Sequence, residues 1–94
     1  MKEGVTTIYV GKKNMSYYVN ACTKLLEKGN DNIVIEGLGE NIKKAVDTAN
    51  FLRLIYKKGS INIKHISIDL IDAGTIRGLP KKVSRIRIEI EKQG

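Results

Sequence analysis

Two adjacent lysines, Lys12 and Lys13, follow Gly11 where a predicted strand gives way to a predicted helix. Both ammonium groups can then project from one rim of the fold, close to a helix N-terminus whose free N–H groups also favour anions. Cations presented in this way are typical of groups that contact a phosphate backbone. Most Lys-Lys pairs are solvated surface, so this interpretation depends on the charge carried by the rest of the chain.

The basic residues of the chain are concentrated in two places. The 94 residues include 17 Lys and Arg against 10 Asp and Glu, a net charge of +7. Residues 76–94 are strongly basic, whereas residues 30–50 carry more acidic than basic side chains. The cations that we expect to bind, besides the lysine pair, are Arg77, Lys81, Lys82 and Arg85. Such a charge distribution indicates a polyanionic partner: DNA, RNA or an anionic membrane.

Hydrophobic periodicity predicts the element order β-α-β-α-β-β within a single domain spanning residues 1–94. The predicted strands are residues 5–10, 33–35, 61–70 and 83–91, and the predicted helices are residues 14–28 and 41–58. Right-handed crossovers then give an α+β two-layer sandwich, a four-stranded mixed sheet with two helices on one face. We expect a bulge at Lys64-His65, a tight turn at Gly37-Leu38-Gly39, and a long loop over residues 72–80.

The second predicted helix has apolar residues on more than one side. Ile42, Ala45, Val46, Ala49 and Leu52 form one stripe, and Phe51, Leu54 and Ile55 add a second apolar surface. Exposed on a monomer, that second surface would favour aggregation, so it predicts a dimer interface. Periodicity also allows the reverse, in which Phe51, Leu54 and Ile55 face the sheet and Ile42 and Val46 turn outward.

Residues for catalysis, metal binding or membrane insertion do not come together in this sequence. Cys22, the only cysteine, cannot form an intramolecular disulfide, which fits a reducing compartment, and its spacing predicts a buried structural thiol. His65 has no Cys or His partner at metal-ligand spacing. No apolar run approaches the ~18 residues of a membrane span. We therefore expect a cytoplasmic protein that is not an enzyme and has no metal, no cofactor and no membrane partner.

Several segments together resemble the Alba family of archaeal chromatin proteins. The resemblance runs from about residue 5 to residue 92. It is carried by Ile8-Tyr9-Val10-Gly11-Lys12-Lys13, Tyr18-Val19, Lys44-Ala45-Val46-Asp47-Thr48-Ala49, and Val83-Ser84 with Ile86-Arg87-Ile88-Glu89-Ile90. It implies the fold of the C-terminal domain of translation initiation factor three. It also implies a dimer that binds DNA and RNA with little sequence preference, with higher oligomers along DNA and a chromosome-associated location.

The resemblance also implies roles for individual residues. Lys12 and Lys13 would contact nucleic acid, and one of them could be acetylated. Lys82, on a hairpin that reaches into the minor groove, would supply a further contact. Tyr56, near the end of the second helix, would take part in dimer–dimer contacts.

One segment departs from the family pattern. The family typically has a basic loop, Lys-Ala-Arg-Gly-Arg, where this chain has Glu36-Gly37-Leu38-Gly39-Glu40. Each lost phosphate contact makes the dependence of log K on log salt shallower by roughly 0.9. The substitution therefore predicts weaker binding than in a typical member.

Two alternative functions remain open at the level of sequence. The chain could be an RNA-binding subunit or RNA chaperone, with DNA binding incidental. It could also be a protein-interaction module that uses its acidic loop and apolar second helix, with positive charge serving only solubility.

Overall fold

Four strands and two α-helices follow one another in the predicted order β-α-β-α-β-β in this computed structural model, which describes residues 5–57 and 59–93. The elements are β1 (Thr6–Val10), α1 (Met15–Glu27), β2 (Asn32–Leu38), α2 (Ile42–Ile55), β3 (Ile61–Ile76) and β4 (Leu79–Lys92). The strands form one sheet in the order β1-β2-β4-β3, in which β1 and β2 are parallel and the other neighbours antiparallel. The predicted α+β fold with a mixed sheet is confirmed.

Helix α1 begins immediately after the lysine pair because Asn14 caps it. The Asn14 side chain accepts a hydrogen bond from the Tyr17 N–H at 3.3 Å, which satisfies one of the free donors of the first turn. Buried side chains recur at helical spacing along α1, at Tyr18, Val19, Cys22 and Leu26. Gly29 then ends the helix in the left-handed region, at φ 97°.

Strand β2 is longer than the sequence predicts, and the predicted tight turn is wrong for two of its three residues. Gly37 and Leu38 continue the strand, and the chain turns only in a short 3-10 helix, Gly39–Asn41. A Cβ on Gly37 would lie 2.6 Å from the Asn41 carbonyl oxygen and 2.8 Å from the Ala45 Cβ. Gly37 is therefore a close-packing residue that lets β2 approach the start of α2.

Helix α2 directs one face to the sheet and leaves the other exposed. The buried residues are Ala45, Thr48, Ala49 and Leu52, with Ile42 and Val46 half-buried against the same core. Phe51, Leu54 and Ile55 are exposed, at 44%, 71% and 56%. The alternative orientation, with Ile42 and Val46 turned outward, is therefore wrong.

Strand β3 leaves a second row of apolar side chains uncovered. The predicted bulge at Lys64-His65 is confirmed by a register shift between Ile63 and His65. Beyond it, Ile66 pairs with Ile88 and Ile68 with Ile86, so both isoleucines share the face on which the β4 residues are buried. Helix α2 packs mainly on β2 and β4, and of β3 only Ile61 and Ile63 belong to the core or pack against it. Ile66, Ile68 and Leu70 consequently remain exposed.

The predicted loop over residues 72–80 is wrong, because almost all of it is paired strand. Residues 70–84 form an antiparallel hairpin beyond the end of β2, with a second register shift between Asp72 and Thr75. We call this hairpin the arm. Its two-residue turn is Arg77-Gly78, between the paired Ile76 and Leu79. The radius of gyration is 14.4 Å, larger than the about 12 Å expected for a compact chain of this length, as a projecting arm requires.

Candidate nucleic-acid interface

The basic residues singled out in the sequence share one end of the sheet. Val10, the last residue of β1, pairs with Gly37, and Leu38, the last residue of β2, pairs with Arg85. Lys12 and Lys13 therefore leave β1 at the end from which the arm projects. The fold brings the lysine pair and the arm to the same rim, with the Gly39–Asn41 turn between them.

Residues 11–13, here called the lysine loop, are held by the hydroxyl of Tyr18. That hydroxyl accepts hydrogen bonds from the Gly11 N–H at 2.9 Å and from the Lys13 N–H at 3.2 Å. Tyr18 is only 6% exposed, so its ring is anchored in the core while its oxygen reaches the loop. The backbone donors on either side of Lys12 are thereby directed inward.

Lys44 holds the same loop from the side of α2. Its Nζ donates to the carbonyl oxygen of Gly11 and to that of Lys13, each at 2.7 Å. Hydrogen bonds from a charged donor are stronger than neutral ones. Two hydrogen bonds from Lys44 and two to Tyr18 therefore hold the loop at Gly11 and Lys13, on either side of Lys12. The Lys44 ammonium group also brings a third positive charge to the lysine loop.

The two predicted lysines have different surroundings. Both are exposed, and neither forms a salt bridge with a residue that the structure describes. The Lys13 Nζ lies 5.2 Å from the centroid of the Tyr17 ring, within range of a cation–π interaction. Both ammonium groups are thus open to a phosphate, and Lys13 also has an aromatic neighbour.

Of the four predicted cations on or beside the arm, two are paired with carboxylates. Lys82 forms a salt bridge with Asp72. Arg85 forms a two-point salt bridge with Asp69, in which Nε donates to Oδ1 at 2.8 Å. This hydrogen bond keeps the pKa of Asp69 below its ordinary value and raises that of Arg85. The structure therefore shows Lys82 and Arg85 partly neutralised, although both were predicted to be binding residues.

The other two predicted arm cations, Arg77 and Lys81, are exposed and form no salt bridge within residues 5–57 and 59–93. Arg77 occupies the turn with φ 52°, followed by Gly78 at φ 79°. Positive φ at both central residues is the signature of a type I′ turn, for which Asn-Gly is the preferred sequence. An arginine in this conformation is unusual and strained, and it stands at the tip of the arm.

The two carboxylates of the segment Glu36-Gly37-Leu38-Gly39-Glu40 do not lie together. Glu36 is a strand residue, 9% exposed, that faces Arg87 across the sheet with 3.5 Å between Oε1 and Nε. Glu40 is exposed in the Gly39–Asn41 turn, at the rim that carries the lysine loop. Of these two carboxylates, Glu40 is therefore the one that opposes an anion at this rim, because the charge of Glu36 is balanced within the sheet.

Tyr56 and Cys22 lie in the interior. Tyr56 is 6% exposed and belongs to the core cluster, which differs from the dimer–dimer contact that the resemblance implied, because its ring packs within its own chain. Burial raises the pKa of the Cys22 thiol to about 12. Among the described residues, no group of three or more His, Cys, Asp and Glu could hold a metal ion, and no helix is long and apolar enough to cross a membrane.

The sequence analysis missed Tyr18 and Lys44 as site residues. Tyr18 was assigned to the apolar stripe of α1, which is correct for its ring, but its hydroxyl gives no periodic signal. Lys44 was counted only as one charge of an acidic region, since the residue and its acceptors are more than thirty positions apart. The signal that could have found both is their membership of the segments that carry the family resemblance.

Comparison with known proteins places these features in a family. The Alba family model matches residues 6–70. A DNA/RNA-binding protein Alba of Nanoarchaeum equitans is 33% identical over 89 residues, which are 92% of this chain and 97% of that protein. The structure of Alba from Thermoplasma volcanium superposes with a TM-score of 0.85 at 30% identity, covering 93% of this chain and all of the other. The crystal structure of ALBA1 from Trypanosoma brucei shares the fold, with a TM-score of 0.74 at 20% identity, covering 98% of this chain and 73% of the other.

Proposed function

The chain belongs to the Alba family, and from that premise we propose that it is a dimeric, non-enzymatic protein that binds duplex DNA and RNA mainly through the phosphate backbone. The observation that carries the proposal is the lysine loop. Its backbone is held by Tyr18 and Lys44, so that Lys12 and Lys13 present two open ammonium groups at the rim from which the arm projects.

Contacts at two places along one rim suit a polyanion better than a small anion. The lysine loop offers charge at one position, and Arg77 and Lys81 offer charge on the arm. Cations that neutralise phosphates release condensed counterions, which supplies affinity without reading sequence. The name of the relative from N. equitans, a DNA/RNA-binding protein, agrees with a target of either kind.

Dimerisation is supported by the uncovered apolar face, which consists of Phe51, Leu54 and Ile55 of α2 and Ile66, Ile68 and Leu70 of β3. The two helices cover β1, β2, β4 and the beginning of β3, and leave Ile66, Ile68 and Leu70 of β3 exposed. Six large exposed apolar side chains on two elements that contact each other are typical of a protein–protein interface. A second copy of the chain would cover them and would double the phosphate contacts, which raises affinity through avidity.

Affinity is proposed to be lower than in a typical family member. Glu40 repels phosphates at the rim, and the salt bridges of Lys82 and Arg85 must open before those cations contact an anion. Acetylation of Lys12 or Lys13 would lower affinity further by removing an open charge. We place the protein on the chromosome in the cytoplasm, where assembly of dimers along DNA would offset weak individual contacts.

The test is the salt dependence of affinity for duplex DNA of mixed sequence, measured by fluorescence anisotropy for the wild type and for a Lys12→Ala, Lys13→Ala double variant. Each phosphate contact contributes about 0.9 to the slope of log K against log salt. Loss of two contacts per subunit should therefore make the slope shallower by almost two units per subunit and weaken binding most at low salt.

The matched control is a Lys28→Ala, Lys57→Ala double variant, which loses the same charge from exposed positions just beyond the C-terminal ends of α1 and α2, away from the loop. Thermal unfolding should show that both variants are folded. Equal slopes for the two double variants would remove the role proposed for the lysine loop. A wild type that shows no shift at about 50 mM salt would refute nucleic-acid binding altogether.

A further inference from the structure

A groove of about 510 Å³ lies between α1 and the free edge of β1, outside the rim described above. Its apolar lining comes from Ile8 of β1 and from Ala21 and Leu25 of α1. Ile8 and Leu25 pack against the core but are only partly buried, so their outer surfaces remain accessible. The volume is within the range of sites that hold a small organic group.

Polar and aromatic side chains edge the groove at helical spacing. Tyr17, Asn20 and Lys24 occupy successive turns of one face of α1, and all three are exposed. The Asn20 amide can both donate and accept hydrogen bonds. An apolar lining with an aromatic ring and an amide at its edge matches a nucleobase, which has apolar faces and a hydrogen-bonding edge.

The groove is continuous with the lysine loop through Tyr17. The Tyr17 ring lines the groove, and the Lys13 Nζ lies 5.2 Å from its centroid. Lys24 stands two turns farther along α1, about 10 Å from Tyr17. Cations thus bracket the groove at both ends, as the phosphates on either side of a bound base would require.

We propose that this groove takes one unstacked base of a single-stranded or bulged nucleic acid, with the neighbouring phosphates on Lys13 and Lys24. The inference rests on the proposed function and deepens it, because it names the class of nucleic acid that makes the extra contact. A base inside a duplex is stacked and paired and cannot enter. Duplexes would therefore use the lysine loop and the arm, and single strands would use the groove as well.

The test compares a fluorescent single-stranded RNA of about 16 nucleotides with a DNA duplex of equal length, by anisotropy at one salt concentration. Ala21→Phe fills the groove without altering a charge. It should weaken single-strand binding about tenfold and leave duplex binding within about twofold, since base–aromatic stacking contributes on this scale. Circular dichroism and thermal unfolding report whether the variant is folded.

A charge variant supplies a second measurement that does not depend on repacking. Lys24→Gln removes the cation at the far end of the groove, and Lys28→Gln removes an exposed cation one turn beyond it that does not line the groove. Lys24→Gln should weaken single-strand binding more than Lys28→Gln does, with equal effects on the duplex. If Ala21→Phe fails to fold, this pair of variants decides alone.

Three results would overturn the inference. They are single-strand binding that survives a filled groove, equal losses for both nucleic acids, and equal effects of Lys24→Gln and Lys28→Gln. Single-strand binding that survives a filled groove would indicate that the groove binds something else, such as a peptide pairing with the edge of β1. In each case the duplex would still bind and the proposed function would stand, whereas a wild type that binds neither probe refutes both.

Discussion

The Lys44 Nζ lies 2.7 Å from the carbonyl oxygen of Gly11, which joins α2 to the loop that follows β1. The same nitrogen donates to the carbonyl oxygen of Lys13, so one ammonium group closes the lysine loop around Lys12. Lys44 can therefore set the geometry of Lys12 and Lys13. We infer that it is a positioning residue for the proposed phosphate contact.

Replacing Lys44 by methionine should loosen the lysine loop. It should weaken duplex binding about fivefold more than the loss of one charge alone would. Because hydrogen bonds from a charged donor are lost, stability should also fall by about 1–3 kcal/mol. Affinity, thermal unfolding and hydrogen exchange of the Gly11 and Lys13 amides check these outcomes.

The control for Lys44 is Lys43→Met. Lys43 is the preceding residue on α2, its side chain is 86% exposed, and it pairs only with Asp47 within the described residues. The Lys43→Met substitution removes the same charge from the neighbouring position of α2, and Lys43 forms no hydrogen bond with the lysine loop. Equal effects of the two variants on affinity would show that Lys44 acts only through its charge.

Replacing Glu40 by lysine should tighten duplex binding several-fold, because it removes a repulsive charge from the rim and adds an attractive one. The salt slope should become steeper by about 0.9 per new contact. Glu27→Lys makes the same charge change at the far end of α1 and is the control. If both variants tighten binding equally, net charge rather than the position of Glu40 limits affinity.

Replacing Arg77 by asparagine should separate stability from binding. Asn-Gly is the preferred type I′ sequence, so relief of the left-handed strain at φ 52° should stabilise the protein by up to about 1 kcal/mol. Loss of the exposed guanidinium at the arm tip should at the same time weaken binding about two- to fivefold. Thermal unfolding and anisotropy measure the two effects, and binding that stays at the wild-type level would exclude a contact by Arg77.

Replacing Leu54 by glutamate should convert a dimer into monomers, since Leu54 is 71% exposed in the last turn of α2, within the uncovered apolar face. Light scattering at micromolar concentration measures the mass. Leu79→Glu, at a position 69% exposed on the arm, adds the same group outside the uncovered apolar face and should leave the dimer intact. A wild type that is already monomeric would contradict the proposed dimer.

The buried thiol of Cys22 predicts a pH dependence of stability. Its pKa is about 12 in the folded protein against 9.0 for a thiol exposed to water, so only the unfolded chain releases the proton between these values. Proton release on unfolding means that stability falls as pH rises above about 9, by up to about 1.4 kcal/mol per pH unit from this group. Cys22→Ala should show a shallower decline in denaturant titrations. Equal declines, or rapid alkylation of the native thiol at neutral pH, would contradict this environment.

Local patterns in the chain were sufficient for the element order and the register change near His65, whereas packing decided which apolar side of α2 faces the sheet. The reason is that side-chain alternation in strands and the 3.6-residue repeat in helices follow from backbone geometry alone. The Lys12-Lys13 pair was recognised for the same reason, because its place between a strand and a helix cap is a local property. The family resemblance added the expected fold and the target class.

Contacts between distant residues required the folded chain. Residues 72–80 look like a loop from their glycines and proline, yet cross-strand hydrogen bonds override that local preference and extend the arm. Pairing across the sheet joins Asp72 with Lys82 and Asp69 with Arg85, and so decides which predicted cations are open. The closure of the lysine loop by Lys44 and Tyr18 likewise depends on how α2 and α1 pack against β1, because a hydrogen bond between distant residues leaves no periodic trace in the sequence.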